Sequence, residues 1–254
     1  MALKKIHGII LAAGRGSRMN DLTEDRPKGL VKFGNKALID WQIDALVAAG
    51  IEQIDIVTGY KAEALEHLNY TRIFNERWQK TNMLSSLLKA EHLLTTTPCI
   101  VSYSDIFYAK EAIIYLAASD ADIAITYDPN WRLLWQKRFE DPLDDAETFA
   151  LHSDSTLRDI GGKTNNIEDI EGQYMGLLYF TPTGWGHVQD YLNNYLEQVV
   201  DQMSLTSLLS SLIERGQKIL AVPYYGQWGE IDSENDLRVF ELLLPNLSEG
   251  TFNN

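Results

Sequence analysis

The chain has 254 residues, of which 45% are hydrophobic, so one domain with a sizeable core is expected. Lysine and arginine number 22 against 36 aspartate and glutamate residues, a net charge of −14, which argues against binding to nucleic acid. Cys99 is the single cysteine, which excludes an internal disulfide, and no segment has the length of a membrane span, so we expect a soluble, cytoplasmic protein.

The first half of the chain alternates apolar strand patterns with helical patterns, which predicts a parallel sheet covered by helices. Gly50 follows the first helical pattern and is expected to end that helix. The predicted strands are residues 6–14, 51–60, 98–105 and 121–128, and the predicted helices are residues 37–50, 61–68, 82–94 and 110–119. In such a sheet, the ligand crevice is expected at the carboxyl ends of the strands.

The alternation stops after Asp128, where a more polar and aromatic stretch begins. Short strand patterns there cover Thr148–Leu151, Leu157–Ile160 and Gln173–Phe180. The remaining predicted elements are helices at 182–200, 205–216 and 233–244, a strand at 218–225 and a short extended run at 228–232. The last residues, 247–254, are expected to fray.

A glycine-containing loop, "LAAGRGSRMNDLTEDRPKGL", follows the first strand. Gly14 and Gly16 allow the backbone to turn its N–H groups toward phosphates. Arg18 and Lys28 add positive charge in an acidic chain, and Pro27 stiffens the backbone beside the lysine. The loop lacks the third glycine of a dinucleotide-binding fingerprint and the pattern of a Walker A loop. It therefore predicts a basic loop that binds a triphosphate.

This loop, together with "TNMLSSLLKAEHLL", "SYSDIFY", "FEDPLDDAETF", "IGGK", "DIEGQYMGLLYFTP" and "GEIDSENDL", resembles the nucleotidyltransferases that make nucleotide sugars and CDP-alcohols. These motifs are most similar to the phosphocholine cytidylyltransferase-like branch, and the resemblance spans nearly the whole chain. It implies a Rossmann-like α/β fold with a smaller β-containing subregion. It also implies transfer of CMP from CTP to a small phosphorylated or phosphonylated amine, with release of pyrophosphate.

The resemblance implies one domain over residues 1–254. Residues 1–128 and 217–245 would form the nucleotide and metal core, and residues from about 129 to 181 would bind the acceptor. Lys28 and Arg18 are the expected catalytic residues, because they would stabilise charge on the triphosphate and on the leaving pyrophosphate. A protein nucleophile is not required, because the attacking acceptor oxygen is already anionic.

Asp105 and Asp232 each end a strand-like run, where a crevice ligand would lie. Taken alone, Asp105 could be a turn residue, and Asp232 could help to cap the next helix beside Ser233 and Asp236. The resemblance implies that both aspartates hold Mg²⁺. Ser104 stands where the family often has glycine, a departure that affects the backbone and not the carboxylate of Asp105.

The nucleotide-binding residues follow from the resemblance, and so does the preference for cytosine. Strand ends and helix caps are common alternative explanations for several of them. The expected nucleotide-binding residues are Leu11, Ala12, Ala13, Gly14, Arg15, Gly16, Thr58, Gly59, Tyr60 and Asn82.

Aromatic and acidic residues in the middle stretch suit a cationic head group. Trp131 and Trp135 are four residues apart and would share a helix face, which also fits a core stripe. Tyr174 lies in an acidic context, and Asp128 and Glu171 could pair with an ammonium group. The resemblance makes Trp135 and Tyr174 the first choices among these five residues for the acceptor pocket.

Two alternatives stay open at this point. The polar run "KTNNIEDIEGQ" could bind the hydroxyl groups of a sugar 1-phosphate, which would make the protein a sugar-1-phosphate nucleotidyltransferase. The fold could also belong to a non-catalytic nucleotide-binding regulator, although the loop and both aspartates argue for an enzyme. The oligomeric state is open, and a homodimer is one option.

Overall fold

The computed structural model describes residues 5–244. The predicted frayed segment 247–254, and residues 1–4 and 245 of the predicted core, lie outside the described residues. Within the described part, no helix has the length and apolar character needed to cross a membrane.

A seven-stranded sheet forms the centre of the molecule, as the alternating pattern predicts. The strands are β1 (His7–Ala12), β2 (Lys32–Phe33), β3 (Lys36–Ala37), β4 (Ile54–Thr58), β5 (Thr71–Phe74), β6 (Cys99–Tyr103), β7 (Ile106–Tyr108), β8 (Ile123–Asp128), β9 (Phe149–Leu151), β10 (Leu157–Ile160), β11 (Gln173–Phe180), β12 (Leu220–Pro223) and β13 (Trp228–Glu230). The central sheet has the order β12-β8-β11-β6-β1-β4-β5, and three two-stranded sheets pair β10 with β9, β13 with β7, and β2 with β3.

All neighbours in the central sheet are parallel except β11, which runs antiparallel to both β6 and β8. The start of β11 therefore lies at the edge where β8 ends, with Gln173 opposite Asp128. The sequence prediction places β11 in the acceptor-binding subregion, whereas the structure makes it a strand of the main sheet. This insertion brings Tyr174 to the carboxyl edge of the parallel strands.

Nine α-helices lie within the described residues. They are α1 (Leu38–Ala48), α2 (Met83–Leu88), α3 (Glu91–Leu94), α4 (Lys110–Ala117), α5 (Trp131–Arg138), α6 (Pro182–Leu192), α7 (Glu197–Gln202), α8 (Leu205–Glu214) and α9 (Glu234–Leu243). Gly50, just after α1, has a φ of 93°, so the predicted stop is confirmed with a left-handed residue that favours glycine.

The structure corrects several predicted elements. The helix predicted over 61–68 is only a short 3-10 turn, Ala62–Leu65, and the predicted helices at 82–94 and 182–200 are each divided into two. The sequence analysis missed β5 because it is an edge strand with largely exposed side chains and therefore lacks a buried apolar pattern. It also missed β7, which is only three residues long.

Two apolar clusters fill the interior. The larger one contains the central strands and the helices that cover them. The smaller one packs the glycine-containing loop onto the rest of the molecule through Met19, which is fully buried, and through a stacked Phe33–Phe107 pair with ring centroids 4.6 Å apart. This second cluster also includes Phe240 of α9, so the loop and α9 pack against the same close-packed apolar residues.

Candidate active site

The glycine-containing loop passes close to the lysine at its far end. Gly16 has a φ of +71°, and a Cβ atom added there would lie 2.8 Å from the Cβ of Lys28. The hydroxyl of Thr23 donates to the Gly16 carbonyl at 3.0 Å and closes the loop. Pro27, in an extended conformation, leads into Lys28, whose side chain is buried. Any side chain at position 16 would therefore clash with Lys28 in its observed position.

Lys28 lies between the two predicted metal ligands. Its Nζ atom donates to Asp105 Oδ2 at 2.9 Å and also contacts Asp232 Oδ1, while Arg18 lies 2.8 Å from Asp232 Oδ2. Burial disfavours the charged form of Lys28, but Asp105, Asp232 and Glu230 outweigh it and raise its pKa. Burial likewise opposes the Asp232 carboxylate, yet Lys28 and Arg18 hold its pKa below the usual value. The structure therefore brings together all four residues that the sequence assigns to catalysis and metal binding.

Asp232 is not the cap of the helix that follows it. The capping box of α9 consists of Ser233 and Asp236, and the backbone N–H of Asp232 donates to Asp236 Oδ2 at 3.0 Å. The carboxylate of Asp232 is left to face Lys28 and Arg18. The alternative explanation of Asp232 as a helix cap is therefore wrong for its side chain.

Glu230 joins the two aspartates, and the sequence analysis missed it. One carboxylate oxygen from each of Asp105, Glu230 and Asp232 lies within 4.8 Å of the others. The pairing of β13 with β7 makes this cluster, because it sets Glu230 opposite Ile106, and the N–H of Ile231 donates to the Asp105 carbonyl at 2.9 Å. Residues two apart on an extended chain share a face, so the spacing of Glu230 and Asp232 was the available signal.

The cluster fits a divalent cation. Carboxylate oxygens are the ligands that Mg²⁺ prefers, and Asp105 Oδ1 is buried without a hydrogen-bond partner. Burial, with a smaller contribution from the negative charge of Asp232, raises the pKa of Glu230 to about 8. Arg138 lies 3.4 Å from Glu230 and 2.8 Å from Asp236, and its positive charge opposes the rise in the pKa of Glu230.

Two cavities meet over this cluster. The first has a volume of about 290 Å³ and the second about 370 Å³. The residues that line both cavities are Arg18, Asn82, Met83, Asp105 and Asp232. Ligands in the two cavities would therefore come together at the carboxylate cluster.

The smaller cavity contains half of the predicted nucleotide-binding residues. Leu11, Ala13, Gly14, Gly16 and Asn82 line it, together with Lys28 and Arg18. The sequence analysis missed the other lining residues, because a loop and a helix far along the chain supply most of them. These are Ser17, Trp78, Thr81, Met83, Ser86 and Ser104.

The remaining predicted nucleotide-binding residues do not line this cavity. Tyr60 donates its backbone N–H to the Ala13 carbonyl at 2.9 Å, and its ring lies 5.6 Å from the guanidinium carbon of Arg15. Thr58 accepts from the Asn75 backbone at 2.8 Å. Ala12 is buried in β1, and a Cβ atom on Gly59 would lie 2.7 Å from the Ala13 carbonyl oxygen. Of these residues, Gly59 and Tyr60 pack against Ala13 at the start of the loop, whereas Arg15 is exposed on the loop itself.

The larger cavity contains two of the five predicted acceptor residues, Trp135 and Tyr174. The indole N–H of Trp135 donates to Asp145 Oδ2 at 3.0 Å, and the Tyr174 ring meets Tyr103 edge-on at 5.7 Å. Asp145 and Glu147 also line this cavity, and burial raises the pKa of Glu147. Among the residues that line it, Arg18 at the junction is the one basic side chain.

The other three predicted acceptor residues point elsewhere. The Asp128 carboxylate accepts from Trp228 Nε1 at 3.0 Å and from a nearby backbone N–H. Trp131 is buried and donates to the Ile170 carbonyl at 3.3 Å. Glu171 accepts from the Leu151 backbone at 3.0 Å. Trp131 shares the helix face of Trp135, as predicted, but it packs in the hydrophobic core and does not line the cavity.

Comparison with known proteins gives a consistent assignment. The model of the MobA-like NTP transferase domain matches residues 8–166. The chain is 36% identical to the CTP:phosphoglutamine cytidylyltransferase of Campylobacter jejuni, over 92% of this chain and 98% of that protein.

Solved structures share the fold. The inositol-1-phosphate CTP transferase of T. maritima has a TM-score of 0.74 and 20% identity, over 98% of this chain and 99% of that one. The CTP:phosphocholine cytidylyltransferase of Streptococcus pneumoniae has a TM-score of 0.68 and 22% identity, over 94% of this chain and 99% of that one. At these identities the likeness extends to the Rossmann-like α/β architecture, in agreement with the predicted fold class.

Proposed function

The chain belongs to the MobA-like NTP transferase family, and from this premise we propose that it transfers CMP from CTP to a small phosphorylated or phosphonylated amine, with release of pyrophosphate. The observation that carries the proposal is the junction of two unlike cavities over one carboxylate cluster. A transferase needs two substrates held with their reacting atoms adjacent, and this arrangement suits that need.

The smaller cavity suits the nucleotide. Gly14 and Gly16 line it and allow the backbone to turn N–H groups toward phosphates, and Lys28 and Arg18 bring two positive charges to the junction. In the proposed reaction, an acceptor oxygen forms a bond to the α-phosphorus of CTP while the bond to the β-phosphate breaks. Lys28 and Arg18 stabilise the negative charge that passes to the pyrophosphate.

Asp105, Glu230 and Asp232 would hold a magnesium ion, which supplies further positive charge to the triphosphate when bound. Lys28 and Arg18 already contact Asp232, so the carboxylates also orient both basic side chains. The smaller cavity does not by itself explain a preference for cytosine. That preference is supported by the similarity to the phosphoglutamine cytidylyltransferase over nearly the whole chain.

The larger cavity suits the acceptor. Its phosphate or phosphonate would lie at the junction near Arg18, and its amine would lie near Asp145 and Glu147. Burial raises the pKa of Glu147, so a cationic partner would relieve the cost of its charge. The rings of Tyr103 and Tyr174 add apolar wall area and faces that attract a cation.

A panel of acceptors tests the proposal. Purified protein with Mg²⁺ and CTP would be given phosphocholine, phosphoethanolamine, 2-aminoethylphosphonate, phosphoglutamine or glucose 1-phosphate, and pyrophosphate release would be measured. We expect release with at least one of the amines and none with the sugar phosphate. Turnover with glucose 1-phosphate alone, or binding of CTP without turnover on any acceptor, would contradict the proposal.

A further inference from the structure

We infer that Asp201, on α7, is a positioning residue that holds the wall of the nucleotide cavity in place and connects it to the acceptor cavity. The inference rests on the proposed function in one respect, namely that the smaller cavity binds the nucleotide. Asp201 lines neither of the two cavities, and it belongs to neither the metal cluster nor the basic pair.

The wall in question is the segment 75–82, between β5 and α2. It supplies Trp78, Thr81 and Asn82 to the nucleotide cavity. The segment has no strand or α-helix and is folded into turns by internal bonds such as Lys80 N–H to the Arg77 carbonyl at 2.8 Å, so its placement against the cavity depends on contacts with neighbouring elements. One end is tied to the central sheet, because the Asn75 backbone donates to the Thr58 carbonyl at 2.8 Å.

The other end is tied to Asp201. The Asp201 carbonyl accepts from the Asn82 backbone N–H at 2.7 Å, and its carboxylate contacts Arg77 and accepts from Ser85 Oγ at 3.1 Å. Asp201 is only 7% exposed, so the two contacts of its carboxylate, with Arg77 and Ser85, are charge-assisted and partly shielded from water. The next residue, Gln202, adds a 3.0 Å bond from its side chain to the Lys80 carbonyl.

The chain continues from α7 directly into the acceptor cavity. Ser204, Leu205 and Thr206 line that cavity, starting three residues after Asp201. Asn82 lines both cavities, and Asp201 holds its backbone. A shift of α7 would therefore move one wall of each cavity, and the carboxylate of Asp201 opposes that shift.

The test is CTP binding by Asp201→Asn, measured by calorimetry with Mg²⁺ and without acceptor, so that turnover does not occur. We expect about tenfold weaker binding than wild type, since the contacts with Arg77 and Ser85 lose the buried negative charge while the size of the side chain and the backbone bond to Asn82 are kept. In the full reaction, KM for CTP and KM for the acceptor should both rise, and kcat at saturating substrates should stay within about threefold. A purely structural role would lower the active fraction and hence kcat, with KM unchanged.

Glu197→Gln is the matched control. Glu197 also contacts Arg77, and its replacement by glutamine removes the same negative charge, but its side chain is 72% exposed. We expect binding within about twofold of wild type. Wild-type affinity in Asp201→Asn, or an equal loss in Glu197→Gln, would overturn the inference.

Ser85→Ala covers the case in which Asp201→Asn fails to fold. It removes one bond to the Asp201 carboxylate outside both cavities, and we expect about threefold weaker CTP binding. Unchanged affinity in a folded Ser85→Ala protein would count against the inference. Wild-type protein that prefers another nucleotide would contradict the proposed function only, and the same comparison would then be made with that nucleotide.

Discussion

The ammonium group of Lys28 lies 2.9 Å from the carboxylate of Asp105, a residue that follows β6, the strand beside β1 in the central sheet. Lys28 also contacts Asp232, so a single buried cation bridges two of the three acids of the cluster. A divalent ion would have to share those carboxylates with the lysine. The position of Lys28 therefore connects the charge of the metal site to the nucleotide cavity that the lysine also lines.

Lys28→Ala should lower kcat/KM by about 10²- to 10³-fold, because a preorganised charge beside the triphosphate is lost. The measurement is steady-state pyrophosphate release with CTP and the preferred acceptor. Lys32→Ala is the control, since Lys32 is exposed and outside both substrate cavities, and it should keep wild-type activity. Near-normal turnover in Lys28→Ala would remove Lys28 from the mechanism.

Glu230→Gln should weaken divalent-cation binding by roughly tenfold or more, because one of three clustered carboxylates becomes neutral. Titration of the nucleotide-free protein with Mn²⁺, followed by electron paramagnetic resonance, measures this effect. Arg138 keeps its 2.8 Å bond to Asp236, so the fold should be retained. Glu234→Gln, at an exposed position on α9, should bind Mn²⁺ like wild type. Equal affinities in all three proteins would exclude Glu230 as a ligand.

Glu147→Gln should raise KM for the amine acceptor by about tenfold, because a charged contact to the ammonium becomes neutral. KM for CTP should change by less than about twofold, since Glu147 does not line the nucleotide cavity. The exposed Glu140 offers a control, and Glu140→Gln should leave both KM values unchanged. If Glu147→Gln altered KM for CTP instead, the acceptor would have been placed in the wrong cavity.

Glu147→Gln should also change how the stability of the protein depends on pH. Burial raises the pKa of Glu147. The positive charge of Lys163 opposes this rise, and the negative charge of Asp145 adds to it. As pH increases above about 4.3, the unfolded chain loses this proton before the folded one does, so wild-type stability falls. Glu147→Gln has no titrating carboxyl group at this position, so it lacks this loss of stability. The difference in the free energy of unfolding between Glu147→Gln and wild type, measured in urea, should therefore be more favourable to the variant at pH 8 than at pH 4.5. An identical difference in unfolding free energy at the two pH values would show that folding does not raise the pKa of Glu147.

Gly16→Ala should destabilise the fold by about 1–3 kcal/mol, because the residue has a positive φ and its new methyl group would meet Lys28. Urea unfolding measures the change. Gly186→Ala is the matched control, because Gly186 lies within α6 with no atom near its missing Cβ, and it should gain about 0.5–1 kcal/mol. A Gly16→Ala protein as stable as wild type would show that the loop can move away from Lys28.

Local patterns in the sequence predicted much of the fold. The buried strands β1, β4, β6 and β8 are apolar runs, and α1 has a helical apolar repeat followed by glycine. A few neighbouring residues are therefore enough to predict each of them. The exposed edge strand β5 and the very short β7 were missed because neither has a pattern of its own. Strand order was not predicted, since pairing depends on contacts between distant segments.

The amino-acid sequence by itself determined the glycine-containing loop, its two basic residues, and the presence of acids at the ends of extended runs, because each is a property of neighbouring residues. Tertiary structure alone decided which acids meet. The β13–β7 pairing brings Glu230 beside Asp105, and the antiparallel insertion of β11 carries Tyr174 to the same edge. Asp128, Trp131 and Glu171 had suitable chemistry, but packing and hydrogen bonds turned them away from the cavity. Side-chain direction is set by the whole fold, and short sequence windows do not contain it.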